Sequence, residues 1–287
     1  MRLKRLLVIL ILLMGIPSFG PANDSPGAPF HYQILLDRLT KDGFDKEFLL
    51  PLFLDPRAEP IPKRMTISLL TGERPEIYKK FLTLESILVA KNFLRQNLRI
   101  LKEMENRFDV EKEVPVAILM VESRFGENIG KHRVIPTLGS IALMDTPENL
   151  QKNYQILREL DPALSYAWME GLAKKRANWA YQELRCFLGI ISHERIDPLD
   201  VMGSHAGALG MAQFIPSSYL AYAQSKKGLE GWLLDREEAI FSIGNYLKSH
   251  GWKKDLPVEK QGRILWYYNR SKPYVETILQ IADKIKK

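Results

Sequence analysis

The sequence predicts a mainly α-helical protein. Three observations carry that expectation: apolar residues recur at three- and four-residue spacing in several segments, sustained period-two alternation is scarce, and no Asn-Gly hairpin turn occurs. Composition sets the class. Of 287 residues, 46% are hydrophobic and 26% charged, which suits a chain that buries a core and excludes a disordered one. A single cysteine, Cys186, excludes an intramolecular disulfide framework and a cysteine-rich metal centre. The net charge of +7 is a mild excess that suits an anionic polymer without demanding nucleic acid.

Along the chain, residues 1–5 are basic and 6–16 form an apolar run, closed by Pro17 and followed by small residues. The run is too short to span a membrane, which needs ~20 apolar residues, and it has the tripartite form of a cleavable signal peptide. We expect residues 1–20 to be removed on export to the periplasm, with no cysteine for a lipid anchor. Residues 21–29, rich in Pro, Gly and Ser, read as a linker. Without Arg2, Lys4 and Arg5 the basic excess falls from 7 to 4. Four prolines at 51, 56, 60 and 62 mark a loop.

Helical stripes follow. The first is Leu84, Ile87, Leu88, Leu94, Leu98, Leu101; the second runs from Ala177 to Ile191; the third is Tyr274, Ile278, Ile281, Ala282, Ile285. Thr146-Pro147 and Asp161-Pro162 each offer a capping side chain before a proline at the first helical position. The stripe at 177–191 makes Cys186 a small hydrophobe rather than a redox centre.

Three segments carry possible chemistry. Pro115 opens a helix that is apolar through Val121, so it is expected to be buried, with Glu122 at its end and Gly126 as a stop. A carboxyl on a buried helix has a raised pKa and becomes a competent general acid near neutral pH. A solvated glutamate paired with Arg124 is the plainer alternative. The second segment, 203–219, has glycines at 203, 207 and 210 and carries Ser204 and Gln213, which suit a neutral polar ligand; a surface loop is the alternative. It has no Lys-Ser/Thr of a phosphate loop, Met202 stands where a hydrolase elbow needs glycine, and His193-Glu194 lacks a second zinc-ligating histidine. The third, Trp266-Tyr267-Tyr268-Asn269-Arg270-Ser271, places aromatics beside an amide, a pairing that suits sugars or, alternatively, a core stripe ending in a turn.

Together these segments resemble the soluble lytic transglycosylases of bacterial cell walls, of the lytic murein transglycosylase B type (glycoside hydrolase family 103). The resemblance rests on Glu122-Ser-Arg-Phe-Gly126, on the whole of 203–219, on Asn245-Tyr-Leu-Lys-Ser-His-Gly-Trp252 and on Tyr268-Asn-Arg-Ser271, in that order. Lys174–Leu184 is similar to the family's basic helix before the glycine loop. The likeness covers about 75–287 well, so 21–74 is expected to be an N-terminal helical and loop extension and 75–287 a lysozyme-like helical catalytic domain.

The resemblance implies cleavage of the β-1,4 bond between N-acetylmuramic acid and N-acetylglucosamine in peptidoglycan, with a 1,6-anhydromuramyl product. Glu122 would be the sole acid/base, and Ser204, Gln213, Phe214, Tyr246, Tyr268 and Asn269 would line the groove. Many members carry an acidic calcium loop; here 223–232 holds one carboxylate, Glu230, and two lysines, so no metal or other cofactor is expected. The expected partner is the peptidoglycan glycan strand, not nucleic acid, and the protein is expected to be monomeric. Two other classes stay open: a hydrolytic muramidase with a second carboxylate, for which Asp145 is the candidate, and a non-catalytic wall-binding protein.

Overall fold

The computed structural model describes residues 31–70, 75–226 and 228–287. The expected signal peptide and linker lie outside the described residues. Among these, the chain forms α1 (Gln33–Lys41), α2 (Lys46–Leu54), α3 (Pro62–Leu69), α4 (Glu76–Lys79), α5 (Leu84–Gln96), α6 (Leu98–Phe108), α7 (Glu113–Ser123), α8 (Val134–Ala142), α9 (Pro147–Leu160), α10 (Tyr166–Ile191), α11 (Pro216–Tyr222), α12 (Gly228–Trp232), α13 (Arg236–Ser249), α14 (Val258–Tyr268) and α15 (Lys272–Lys286). The strand content described is one short antiparallel pair, β1 (His132–Arg133) and β2 (Met202–Gly203), with His132 opposite Gly203. The mainly α expectation holds. No described helix is long and apolar enough to cross a membrane.

The centre is α7. Each residue from Val114 to Met120 is buried, as an all-apolar helix requires. Helices α5, α13 and α15 pack around it. The longest helix, α10, reaches about 39 Å at 1.5 Å per residue. It carries α8, α11, α9 and α3 along its length, and its expected stripe of Ala177, Ala180, Leu184, Phe187, Leu188 and Ile191 is buried throughout. Cys186 is a free thiol, half-buried, and burial pushes its pKa up. A single apolar cluster runs from Tyr32 to Ile285. The N-terminal helices join it through polar bonds as well: the Tyr32 hydroxyl donates to the Ala58 carbonyl at 2.6 Å and the Ile61 N–H to Ser140 Oγ at 2.7 Å.

Local chemistry explains where the elements depart from the sequence reading. The stripe at 84–101 is two helices. Asn97 leaves helical geometry (φ −110°, ψ 18°) and its side chain donates to the Phe93 carbonyl, so α5 ends and α6 restarts on a different face. Leu84 and Leu88 stay exposed, and Ala90 and Phe93 take the buried face with Ile87. The prolines at 51–63 do not make one loop. Pro51 lies inside α2, while Pro56 and Pro62 each begin a helical turn, where a missing N–H removes no helical bond. Thr146 caps α9 as expected, accepting from the Asn149 N–H. Asp161 instead ends α9: its carboxylate accepts the Ala163 N–H in a turn, and Ser165 caps α10.

Glycine is required where β1 meets β2. Gly130 has φ +106°, and a Cβ there would lie 1.9 Å from the Gly203 carbonyl oxygen. Gly130→Ala must part that contact and adopt a disfavoured backbone, so it should cost about 1–3 kcal/mol or more. Gly171, inside α10, has open space at the Cβ position. Gly171→Ala should stabilise by about 0.5–1 kcal/mol. Urea denaturation of the two variants should show these opposite signs.

Candidate active site

The site forms where the end of α7 meets the glycine loop and the α14–α15 junction. Helix α7 stops abruptly. Arg124, Phe125 and Gly126 have φ of 50°, 60° and 96°, three consecutive residues in the left-handed region. Such backbone is disfavoured for the two non-glycine residues and persists only where the surroundings hold it. Here the Phe125 ring stacks on Phe93 of α5 at 4.1 Å between centroids. Ser123 Oγ and the Ser123 carbonyl accept from the Gly126 and Asn128 N–H groups, at 3.0 and 2.9 Å. The turn leaves Glu122 within the last helical turn, at the edge of the core.

Glu122 is enclosed by protein yet keeps partial solvent access. Burial raises its pKa to about 7. The neighbour that opposes the rise is the Tyr274 hydroxyl at the start of α15. That hydroxyl is buried and makes no hydrogen bond of good geometry, so it is a donor held against Glu122 rather than spent elsewhere. Among the described residues, no carboxylate and no cation contributes to the Glu122 shift. The solvated pairing with Arg124 is therefore absent.

The glycine loop is held by its own side chains. Ser204 Oγ accepts the Ala206 and Ala208 N–H groups, at 3.1 and 3.0 Å. Gln213, at φ 50°, donates its amide N–H groups to the Gly210 and Ile129 carbonyls, at 2.8 and 3.1 Å. The second bond ties the loop to the segment that follows Glu122, and both bonds use the amide nitrogen. The Tyr268 hydroxyl donates to the Ala212 carbonyl at 2.5 Å, which fixes the end of α14 on the loop. Burial, then the nearby Glu122, pushes the Tyr268 hydroxyl well above its ordinary pKa. Asn269 ends α14 in extended backbone and is half-buried.

Phe214 and Tyr246 lie deeper than the other expected groove residues. They are only 2% and 5% exposed. Phe214 packs among Trp232, Tyr246 and Tyr268, and Tyr246 stacks on His250 at 4.1 Å. Their rings form a layer behind Tyr268. Sequence reasoning also missed Tyr274, which it took for the first residue of a core stripe. The signal was its hydroxyl: a buried tyrosine needs a polar partner that Ile278, Ile281 and Ile285 cannot supply.

A transglycosylase SLT domain model matches residues 37–265 of this chain. The chain belongs to that family. This SLT-domain protein is 33% identical, over 178 residues, to the membrane-bound lytic murein transglycosylase B of Escherichia coli; the match covers 61% of this chain and 41% of that relative. Its fold is similar to that of a soluble lytic transglycosylase from Pseudomonas aeruginosa, at TM-score 0.69 and 24% identity, covering 88% of this chain and 97% of the other. A second Pseudomonas aeruginosa structure, solved in complex with NAG-NAM-pentapeptide, aligns at TM-score 0.66 and 20% identity, covering 89% and 79%.

Carboxylates near 223–232 are already engaged in this SLT-domain protein. Glu238 accepts from Ser225 Oγ and the Lys226 N–H, and Glu194 accepts from the Leu229 N–H. Among the described residues no group of three or more ligating side chains is placed to hold a metal. Millimolar calcium should leave the melting temperature unchanged; a rise of several degrees would reveal a site.

Glu122 also makes stability pH-dependent. Its folded pKa lies above the ordinary value of 4.5, so its contribution is full below pH 4.5 and is lost as pH rises through about 7. Glu122→Gln cannot ionise. Its melting temperature should therefore gain on the wild type between pH 4.5 and 7 and hold that gain above.

Proposed function

We propose that this protein is a peptidoglycan lytic transglycosylase that cleaves the β-1,4 bond after N-acetylmuramic acid, working in the periplasm after export. The observation that carries the reading is Glu122: a desolvated carboxyl with a pKa of about 7, with partial solvent access and no second carboxylate acting on it. At neutral pH such a group exists in both protonation states, so it can act as acid and then as base.

The chemistry divides into two proton transfers by one residue. Protonated Glu122 delivers its proton to the glycosidic oxygen as the C1–O bond breaks and positive charge develops on the muramyl ring. The Glu122 carboxylate then takes the proton of the muramyl 6-hydroxyl, and that oxygen closes on C1. Glu122 ends protonated, as it began, and no water is consumed. The substrate's acetamido group can stabilise C1 in between, a route that needs no nucleophilic carboxylate. The Tyr274 hydroxyl stabilises the ionised stage. Gln213 Oε1 and Asn269 offer hydrogen bonds to acetamido and hydroxyl groups, and Ser204 shapes the loop that carries Gln213. Phe214 and Tyr246 hold Tyr268 in place.

The hydrolytic alternative expects a second carboxylate across the groove. Its candidate, Asp145, is partly buried near Arg38 and Lys174, with a pKa raised by burial against the pull of a backbone hydrogen bond and then of those cations. Glu122 is not among the charges that act on it.

Product chemistry tests the reading. In ¹⁸O-labelled water the enzyme should release anhydromuropeptides without label at the muramyl terminus. Labelled reducing ends would establish hydrolysis instead. Glu122→Gln keeps the shape of the side chain but cannot cycle a proton. Loss of a general acid costs ~10²–10⁴-fold, and here one group serves both steps, so turnover should fall to the lower limit of detection.

A further inference from the structure

A second polar cluster sits at the Ser204 end of the glycine loop. It comprises Arg64 on α3, His132 on β1 and His205 in the loop itself. Pairing of β1 with β2 sets His132 opposite Gly203, beside Ser204 and His205. Arg64 Nη2 lies 2.7 Å from both Nδ1 and Nε2 of His132, and Arg64 Nε is buried with no acceptor. A guanidinium is a fork of donors, and a neutral imidazole supplies one acceptor. Arg64 therefore has more donors than the protein provides acceptors.

The nearby carboxylates are committed elsewhere. Asp55, Asp197 and Asp200 all bond Arg57, and Asp200 also reaches Arg133 at 3.8 Å. Among the described residues no acid pairs with Arg64, His132 or His205. Burial, then the Arg64 charge and His205, hold His132 below its ordinary pKa. The cluster is reachable: His205 is exposed, and Arg64 and His132 are half-buried.

We propose that Arg64, His132 and His205 form a carboxylate-binding site at one end of the glycan groove, which takes a carboxylate of the peptide carried by muramic acid. The inference rests on the substrate reading above. The chain itself joins the two places: the segment after Glu122 runs through Ile129, which accepts from Gln213, to His132. The sugars of a strand are neutral once the lactyl group is amide-linked to peptide, so the strand's negative charge lies in its peptides. A guanidinium fork short of acceptors matches a planar carboxylate, with two donors meeting two oxygens. The site therefore recognises the peptide and takes no part in bond cleavage.

Kinetics on two substrates test this: glycan strands with free peptide carboxylates, and the same strands with those carboxylates amidated. Arg64→Gln should raise KM for the strands with free carboxylates about ten- to hundredfold, the range for a hydrogen bond to a charged group. It should leave kcat, and both constants on the amidated strands, unchanged. Arg64→Lys should recover part of the loss. His205→Gln, at an exposed position, should show the same selectivity if Arg64→Gln does not fold. Equal losses on both substrates, or none on either, would overturn the proposal. A measurement without turnover separates it from the proposed activity. In the full-length wild-type protein, the His132 and His205 ring resonances should shift on adding a synthetic stem tetrapeptide, and not with the same peptide amidated at every carboxylate. Unmoved resonances would overturn the site even in an active enzyme; shifts in a protein that cleaves no glycan would uphold the site and sink the activity.

Discussion

The structure depends on keeping one carboxyl at the edge of water. Glu122 follows directly on an apolar run, and its environment favours the proton over the charge. A helix apolar on every side needs a complete cover, and α5, α13 and α15 supply it. Those same helices bring the aromatic neighbours: Phe93 on α5 grips Phe125, Tyr246 on α13 backs Tyr268, and Tyr274 opens α15 against the acid. Core packing and the electrostatics of the site are thus one arrangement.

Ending α7 is the costly step. Three successive residues in left-handed backbone turn the chain out of the core within a single turn. Phe125 on Phe93, and Gly126 against Met211, hold that geometry from both sides. The glycine loop closes over it under similar tightness. A Cβ on Gly207 would meet Leu138 at 2.8 Å, and one on Gly210 would meet Trp232 at 2.8 Å. Strain concentrated beside one acid, and held by packing elsewhere, is what a site of fixed geometry demands.

Most other enclosed carboxylates of this half of the molecule accept N–H groups. Glu183 accepts the Ser217 N–H and hydroxyl, Glu111 the Trp252 indole and Asp255 N–H, and Glu238 the loop at Ser225–Lys226. Each of those acids fastens one element to another. Among the described residues Glu122 has only a tyrosine hydroxyl of imperfect geometry, so it fastens no element to another.

The sequence by itself determined the mainly helical class, the buried helix ending at Glu122, the stripe of α10 and the Thr146 cap. Each is a local matter: spacing of apolar residues, or a side chain reaching its own backbone. It also marked the glycine loop and Tyr268-Asn269, because such a long match is hard to meet by chance. Only the tertiary structure decided which members of that match are covered. Phe214 and Tyr246 share a motif with Gln213 and Asn245, but their rings are covered by Trp232, Tyr268 and His250, from elements distant in the chain. Tyr274 shows the reverse. Helical spacing assigned it to the core, correctly, yet its hydroxyl meets Glu122 because α15 packs on α7. Arg64 and His205 lie far apart in the chain and had no pattern to join them until α3 and the β1–β2 pair set both beside His132. Periodicity reports how an element faces its core; which distant element waits there is fixed by packing alone.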